Sequence, residues 1–254
     1  MPMQYDMHIH THYCGHASEM SVEAILRRAD ELALDTIAIT DHVFRRQDLA
    51  IIRQIAEEVS RFSPRCRVIV GAEVDVDGRF ADGRLVADRL EGIDYVIAGF
   101  HYVPTAGNYP HRPEDCPMPP ERFLELWRSS LLGIVSNPAV NTLAHPGRLV
   151  GAAVDLDVYF DDVLAVYAEA AEIAAANNVA FEINELTGQR ISDYYREQWY
   201  RIYEVALAAS CRLVYGSDAH DPLSMATDDF ARQILGKLPP GCLSHPADVL
   251  KAAR

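Results

Sequence analysis

Seven short apolar runs recur along the 254-residue chain, and longer stretches with helical spacing lie between them. The runs fall at residues 5–10, 36–40, 68–73, 95–101, 140–145, 179–184 and 212–217. They are rich in β-branched and aromatic residues and lack the strict alternation of a half-exposed strand. Each therefore reads as a strand buried on both faces. Ser21 is placed to cap a helix in which Val22, Ile25, Leu26, Ala29, Leu32 and Ala33 share one face. Further helices are predicted at 48–62, 120–135, 160–176, 193–209 and 222–235, and most weakly between residues 75 and 92. Such alternation predicts an α/β fold with a parallel sheet and right-handed crossovers. Seven or eight units close most economically into a barrel, with an open doubly wound sheet as the alternative. The stretch 104–120 holds six Pro and one Gly and predicts a loop over the barrel mouth. No repeat or break in composition divides the chain, so residues 1–254 are expected to form one domain.

On this frame the positions of the ten histidines carry more information than their number. His8 and His10 lie two apart at the end of the first predicted strand, so their side chains leave the same face. Asp41 and His42 follow the second strand, Glu73 ends the third, His101 the fourth and His145 the fifth. Asp218 and His220 follow the seventh, and His16 lies in the first loop. In a barrel the strand C-termini open on one end, where the chemistry of such folds is sited. Imidazoles and carboxylates crowded into one buried mouth call for a cation to offset their desolvation and mutual repulsion. This donor set suits Zn²⁺, Fe²⁺ or Mn²⁺. Nine candidate ligands (His8, His10, His16, His42, Glu73, His101, His145, Asp218 and His220) exceed what one ion takes. A catalytic zinc asks for three protein ligands and an open position, so two or three ions are expected.

Composition narrows the partners. Asp plus Glu number 37 against 23 Lys plus Arg, a formal charge of −14. Such a surface repels phosphate backbones and anionic lipid, which argues against binding long nucleic acid or a membrane surface. No apolar run approaches the roughly 20 residues that span a bilayer, and the N-terminal stretch MPMQYDMHIH does not read as a signal peptide. The five Cys (14, 66, 116, 211 and 242) form no CxxC, so a reducing cytoplasm is the expected location.

The ordered motifs resemble those of the PHP (polymerase and histidinol phosphatase) metal-dependent phosphoesterases. They are Asp6-Met7-His8-Ile9-His10-Thr11, Thr40-Asp41-His42, Glu73 in VGAEVD, His101 in AGFHYV, His145-Pro146 and the closing Gly216 to His220. The resemblance implies a distorted (β/α)7 TIM-like barrel of PHP type holding two or three divalent metal ions. One ion would take His8, His10, Glu73 and Asp218. A second would take Glu73, His101 and His145, with Glu73 bridging, and a third His16, His42 and His220. Asp6 and Asp41 would orient imidazoles from behind. Among these residues Asp218, His220 and Glu73 are expected to act in catalysis. The stretch from His8 to His16 looks like the histidinol-phosphatase branch. That implies hydrolysis of a small phosphate monoester, with L-histidinol phosphate to L-histidinol and phosphate as the leading candidate. Asn184, Gly188 and Arg190 are similar to that branch's phosphate loop, so Asn184 and Arg190, together with Arg148, are expected to bind substrate. Glu182 or Glu185 would welcome a cationic group on it.

Three other readings remain open from the residues. A nucleotide phosphodiesterase or nuclease uses the same metals and would need a basic groove around the mouth. An amidohydrolase also opens with His-x-His, but wants a bridging Lys that no strand end between residues 66 and 90 supplies. The last is a non-catalytic metal-binding module, against which the full ligand set counts. Cys14 reads as a small buried residue, His12 as pocket lining or surface, His111 and His245 as solvated loop residues. Trp127 and Trp199 read as helix core.

Overall fold

The computed structural model describes residues 3–90 and 92–251. Its strands, all parallel, are β1 (Tyr5–Ile9), β2 (Thr36–Ile39), β3 (His42–Val43), β4 (Arg67–Asp75), β5 (Tyr95–Gly99), β6 (Thr142–Leu143), β7 (Ala180–Asn184) and β8 (Leu213–Gly216). They pair in the order β1-β2-β4-β5-β6-β7-β8, with β3 on β4. Ile39 pairs with Val70 and His42 with Glu73, the same offset, so β3 continues β2 after a break at Thr40 and Asp41. Seven staves result. The ends of β1 and β8 meet through an Ile9–Ala219 bridge, where the His10 amide donates to Ala219 O at 3.0 Å. The sheet is thus nearly closed, an α/β TIM-like barrel of seven strands with helices outside, as the strand–helix alternation predicts.

The outer layer comprises α1 (Val22–Glu31), α2 (Leu49–Val59), α3 (Pro120–Ser136), α4 (Arg148–Ala153), α5 (Leu156–Asn177), α6 (Asp193–Gln198), α7 (Tyr200–Ala208), α8 (Asp229–Leu235) and α9 (Pro246–Val249). In α1 the Ser21 hydroxyl accepts from the Ala24 amide, and Val22, Ile25, Leu26 and Ala29 are buried as their spacing requires. The helix stops at Glu31, and Ala33 turns left-handed. Trp127 and Trp199 are buried, as expected of core residues. Trp199 also marks where the single helix predicted over 193–209 divides into α6 and α7.

The helix expected between residues 75 and 92 does not form among the described residues, which leave out Glu91. Side chains capture the backbone instead: Asp77 accepts from the Arg79 amide and Asp82 from the Arg84 amide. Val76 then bridges Leu85 antiparallel, so the chain makes a short out-and-back excursion. The helix predicted at 222–235 begins only at Asp229, while α4 and α9 are additions that the sequence pattern did not flag.

Inside the barrel two zones stack. The lower zone is apolar: Met7, Ala38, Ile69, Tyr95, Ile97, Ala180 and Val214 pack together with Val249 of α9. The upper zone is polar, with His8, His10, Glu73, His145, Glu182 and Asp218 all buried. A register shift between Asp6 and Ile9 gives β1 one extra residue against β2. Such a bulge lets Met7 face the apolar zone while His8 and His10 still face the polar one. The shift also separates Asp6 from His8. Its carboxylate accepts from the amides of Ser217 (2.9 Å), Ala226 (2.9 Å) and His8 (3.3 Å), so it pins backbone rather than orienting an imidazole as expected.

Gly147 sets the turn from β6 into α4. Its φ is +95°, and a Cβ there would run into the indole of the buried Trp199. Gly147→Ala is expected to destabilise the protein by about 2–4 kcal/mol, combining left-handed strain with overpacking. A fall in Tm of less than 2 °C would show that Trp199 yields freely.

Candidate metal centre

The β1 bulge delivers His8 and His10 to the mouth, where their Nε2 atoms face each other at 3.0 Å. Asp218, just past β8, reaches the same point, its Oδ1 3.1 Å from His10 Nε2 and 3.7 Å from His8 Nε2. Glu73, near the end of β4, completes the group with Oε2 at 3.4 Å from His8 Nε2 and 3.6 Å from His10 Nε2. Its other oxygen faces a second group. Oε1 lies 2.8 Å from His145 Nε2 and 3.3 Å from His101 Nε2, and those two nitrogens are 3.1 Å apart. One carboxylate therefore stands between two pairs of imidazoles, as a bridging ligand would.

Partners behind the rings fix which nitrogen points inward. His8 Nδ1 donates to Glu182 Oε1 at 2.7 Å, His101 Nδ1 to Asp75 Oδ1 at 2.9 Å, and His220 Nδ1 to the Asp218 carbonyl at 2.8 Å. Each leaves an Nε2 lone pair for the centre, the tautomer a metal-ligating histidine adopts. Several inward atoms have no hydrogen-bond partner: Glu73 Oε2, His42 Nδ1 and His220 Nε2. His42 Nδ1 and Glu73 Oε2 are only 2.8 Å apart, yet neither has a hydrogen-bond partner. Buried polar atoms are seldom left unpaired, and these fit a divalent cation in both chemistry and placement.

Electrostatics repeat the pattern. Burial alone would raise the Glu73 carboxyl, but His42, His101 and His8 around it hold it well below the carboxylate range. Burial opposes charge on His101, yet Asp75 and Glu73 push it up to about 10. Its neighbour His145 is driven down to about 3 by burial, with Arg148 and His101 adding to the effect. In the other pair burial again opposes charge on His8, yet Glu182, Asp218 and Glu73 raise it well above the imidazole range, while burial and the adjacent His42 hold His10 well below it. The backbone is also strained here: His145 (φ 32°) and Asp218 (φ 59°) lie in the left-handed region. Non-glycine residues hold such conformations where the surroundings impose them, and Glu182 Oε2 accepts the His145 amide at 2.7 Å.

A model of the PHP domain matches residues 6–186 of the chain. The chain belongs to the PHP domain family. It is 28% identical over 244 residues to a probable phosphatase of Shewanella piezotolerans, covering 92% of this chain and 85% of the relative. It is 22% identical over 251 residues to a probable phosphatase of Acetivibrio thermocellus, covering 95% and 90%. Among solved structures its fold is similar to a histidinol phosphate phosphatase from Lactococcus lactis complexed with zinc, L-histidinol and phosphate. That likeness has a TM-score of 0.61 at 18% identity and covers 92% of this chain and 93% of the other.

Of the three ligand sets expected from the PHP resemblance, the structure brings the residues of the first two close together and splits the third. His220 falls into one close group with His10 and His42, and into another with Cys14 and His16. The reason is the tight turn over Thr11 to Gly15, which brings Cys14 and His16 together and lets His16 Nδ1 donate to the Cys14 carbonyl at 3.0 Å. Cys14, read from sequence as a small buried residue, is half-buried among these imidazoles. Asp41 does not orient the adjacent His42. It accepts from both the amide and hydroxyl of Thr11 and lies 3.8 Å from His10 Nδ1.

Two cavities meet beside this PHP-type mouth, and Arg148 and Arg190 line both. The smaller, about 280 Å³, reaches His16, His42, Asp218 and His220. The larger, about 480 Å³, has His101 at its inner end and walls that include Phe100, Tyr109, Pro110, Leu149, Leu156 and Ile191. The Pro-rich loop supplies Tyr109, whose hydroxyl accepts from Arg148 at 3.0 Å and from Arg190 at 3.3 Å. The PHP resemblance marked Arg190, and Arg148 was expected beside it, but nothing flagged the tyrosine they share. His111, expected in solvent, is exposed yet also lines this cavity. His245 is exposed and caps α9.

Other expected substrate contacts are corrected. Asn184 is fully buried, its amide nitrogen directed at Glu182 (3.1 Å) and Asp218 (3.4 Å) and its oxygen accepting from Thr187. It braces the site from behind. Glu182 is occupied by His8 and the His145 amide, and Glu185 by the amides of Phe230 and Ala231, so neither is free for a cationic substrate group. Glu182→Gln places an NH₂ against one of two donors, His8 Nδ1–H or the His145 amide. Metal affinity is expected to weaken by about 10- to 100-fold, read by titration against a competing chelator; unchanged affinity would mean that Glu182 is not what sets the His8 ring.

Proposed function

We propose that the chain is a metal-dependent phosphatase acting on a small phosphate monoester. The observation that carries this reading is the Glu73 carboxylate between two imidazole pairs, next to two arginines that converge on one hydroxyl. His8, His10, Glu73 and Asp218 would hold one ion, and Glu73, His101 and His145 another. Bound divalent ions lower the pKa of water and neutralise phosphoryl oxygens. The residues of the chain do the rest. Arg148 and Arg190 turn from the Tyr109 hydroxyl to phosphate oxygens, adding charge-assisted hydrogen bonds where charge spreads in the transition state. Glu73 and Asp218 hold the reacting region in fixed geometry, and His220 faces the same cavity from beyond β8. Phe100, Leu149, Leu156 and Ile191 exclude water from the organic part of the substrate.

The leading substrate is L-histidinol phosphate, supported by the like-folded histidinol phosphate phosphatase and by a cavity with room for a small heteroaromatic alcohol. With Glu182 and Glu185 engaged, the substrate ammonium would meet Asp155, which lines the same cavity. A second reading, a nucleotide phosphodiesterase or nuclease, is favoured by a groove of about 570 Å³ lined by Arg46 and Arg53 around the start of α2 and by Arg89 from the segment that follows β4. Phosphate release from L-histidinol phosphate by zinc-loaded protein tests the proposal, and kcat/KM at or above about 10⁴ M⁻¹s⁻¹ is expected of a natural pair. Faster cleavage of short oligonucleotides would replace it with the second reading. Arg148→Ala is expected to cost about 10- to 100-fold in kcat/KM, the worth of one charged hydrogen bond. An unchanged value would place the phosphate elsewhere.

A further inference from the structure

We propose that Cys14 is a metal ligand of the third site, taking its ion as a thiolate together with His16 and His220. The ligand atoms of these three residues all lie within 4.8 Å of one another, so a small inward rotation of the side chains brings them to the roughly 3.3–3.6 Å that a tetrahedral ion imposes on sulfur and nitrogen donors. Two rings are already set for the task. His16 Nδ1 is used on the Cys14 carbonyl and His220 Nδ1 on the Asp218 carbonyl, so both present Nε2, and His220 Nε2 is buried without a partner. The turn is built for the approach: Thr11 caps it through the Tyr13 amide, and Gly15 at φ 85° reverses the chain so that residues 14 and 16 flank one point. His16 and His220 stack with ring centroids 4.5 Å apart. On binding, the Cys14 S–H proton leaves to solvent as the sulfur–metal bond forms.

The sulfur changes what this position selects. Imidazole and carboxylate accept a wide range of divalent ions, whereas a thiolate favours zinc or cobalt over manganese or magnesium. His16 and His220 line the smaller cavity with Arg148 and Arg190, so the ion would stand beside the proposed phosphate position. The inference rests on the metal-centre reading above but has its own readout.

Loading the chelated protein with Co²⁺ is expected to give visible d–d bands from all occupied sites. A near-ultraviolet thiolate-to-cobalt charge-transfer band should appear with them. Cys14→Ser should lose the charge-transfer band and keep d–d bands, and Cys116→Ser should keep both. In wild-type protein, Zn²⁺ should shield Cys14 from alkylation while Cys116, also half-buried, is labelled with or without metal. That comparison needs no variant to fold. Intense d–d bands with no charge-transfer band, a band that survives Cys14→Ser, or unshielded Cys14 would each overturn the thiolate ligand alone. No d–d bands at all would overturn the metal centre with it.

Discussion

Replacing Glu73 with Gln is expected to lower kcat/KM for phosphate release by about 10³-fold or more. It should also reduce the bound metal by up to two equivalents per chain. The side chain keeps its shape, so packing is preserved. What disappears is the negative charge next to His8, His42, His101 and His145, and one of two oxygens that face separate imidazole pairs. Transition-state charge held by metal is worth several kcal/mol, and each 1.36 kcal/mol is tenfold in rate. Metal analysis of the purified variant beside its kinetics checks both halves. Full metal content with full activity would remove Glu73 from the centre.

Chelation is the second large effect. With each ion bound at 1,000 times its Kd, a single site stabilises the fold by about 4 kcal/mol. At roughly 2–4 °C per kcal/mol for a chain of this size, stripping one site is expected to lower Tm by about 8–16 °C. The pH dependence should change as well. In the chelated protein His101 is held up to about 10, against about 6.5 unfolded. Its contribution is present below pH 6.5 and is lost as pH rises towards 10. His145, held down to about 3, works the other way: the unfolded chain gains a proton that the folded one refuses, so stability falls as pH drops from 6.5. Loaded protein, with its imidazoles held neutral by ions, should lack both slopes. Superimposable Tm-against-pH curves for loaded and chelated protein would contradict this account.

The barrel and the gathering of donor side chains at its mouth were legible because both rest on local periodicity, whereas their division into ligand sets came only from the PHP resemblance. A strand that ends in His or Glu places that residue at the mouth whatever else the chain does, and His8, His10, Glu73, His101, His145 and Asp218 all obey this. Asp75 was open to the same reasoning, since it lies two beyond Glu73 on one strand face and supports His101. Other features depend on contacts between distant segments. The pairing of Glu182 with His8 spans 174 positions, and the meeting of Tyr109 with Arg148 spans 39. No spacing rule predicts which buried carboxylate will brace an imidazole and which will meet substrate. Asp6 misled for another reason. An alternating face was assumed through His8, and the bulge broke the alternation between them. The approach of Cys14 to His220 was not legible because the turn that carries it there depends on Gly15 at φ 85°, a conformation the pattern of apolar residues does not record.

That bulge has a meaning for how such chains diverge. A substitution in β1 changes one side chain, but deleting a single residue between Asp6 and Ile9 would remove the extra position that lets Met7 and His8 both face inward. Composition would be almost untouched, yet either the floor of the barrel or its chemistry would be turned outward. This short span is therefore where insertions and deletions should be absent among descendants that keep activity. Reading frame, more than residue identity, is what the first strand has to inherit.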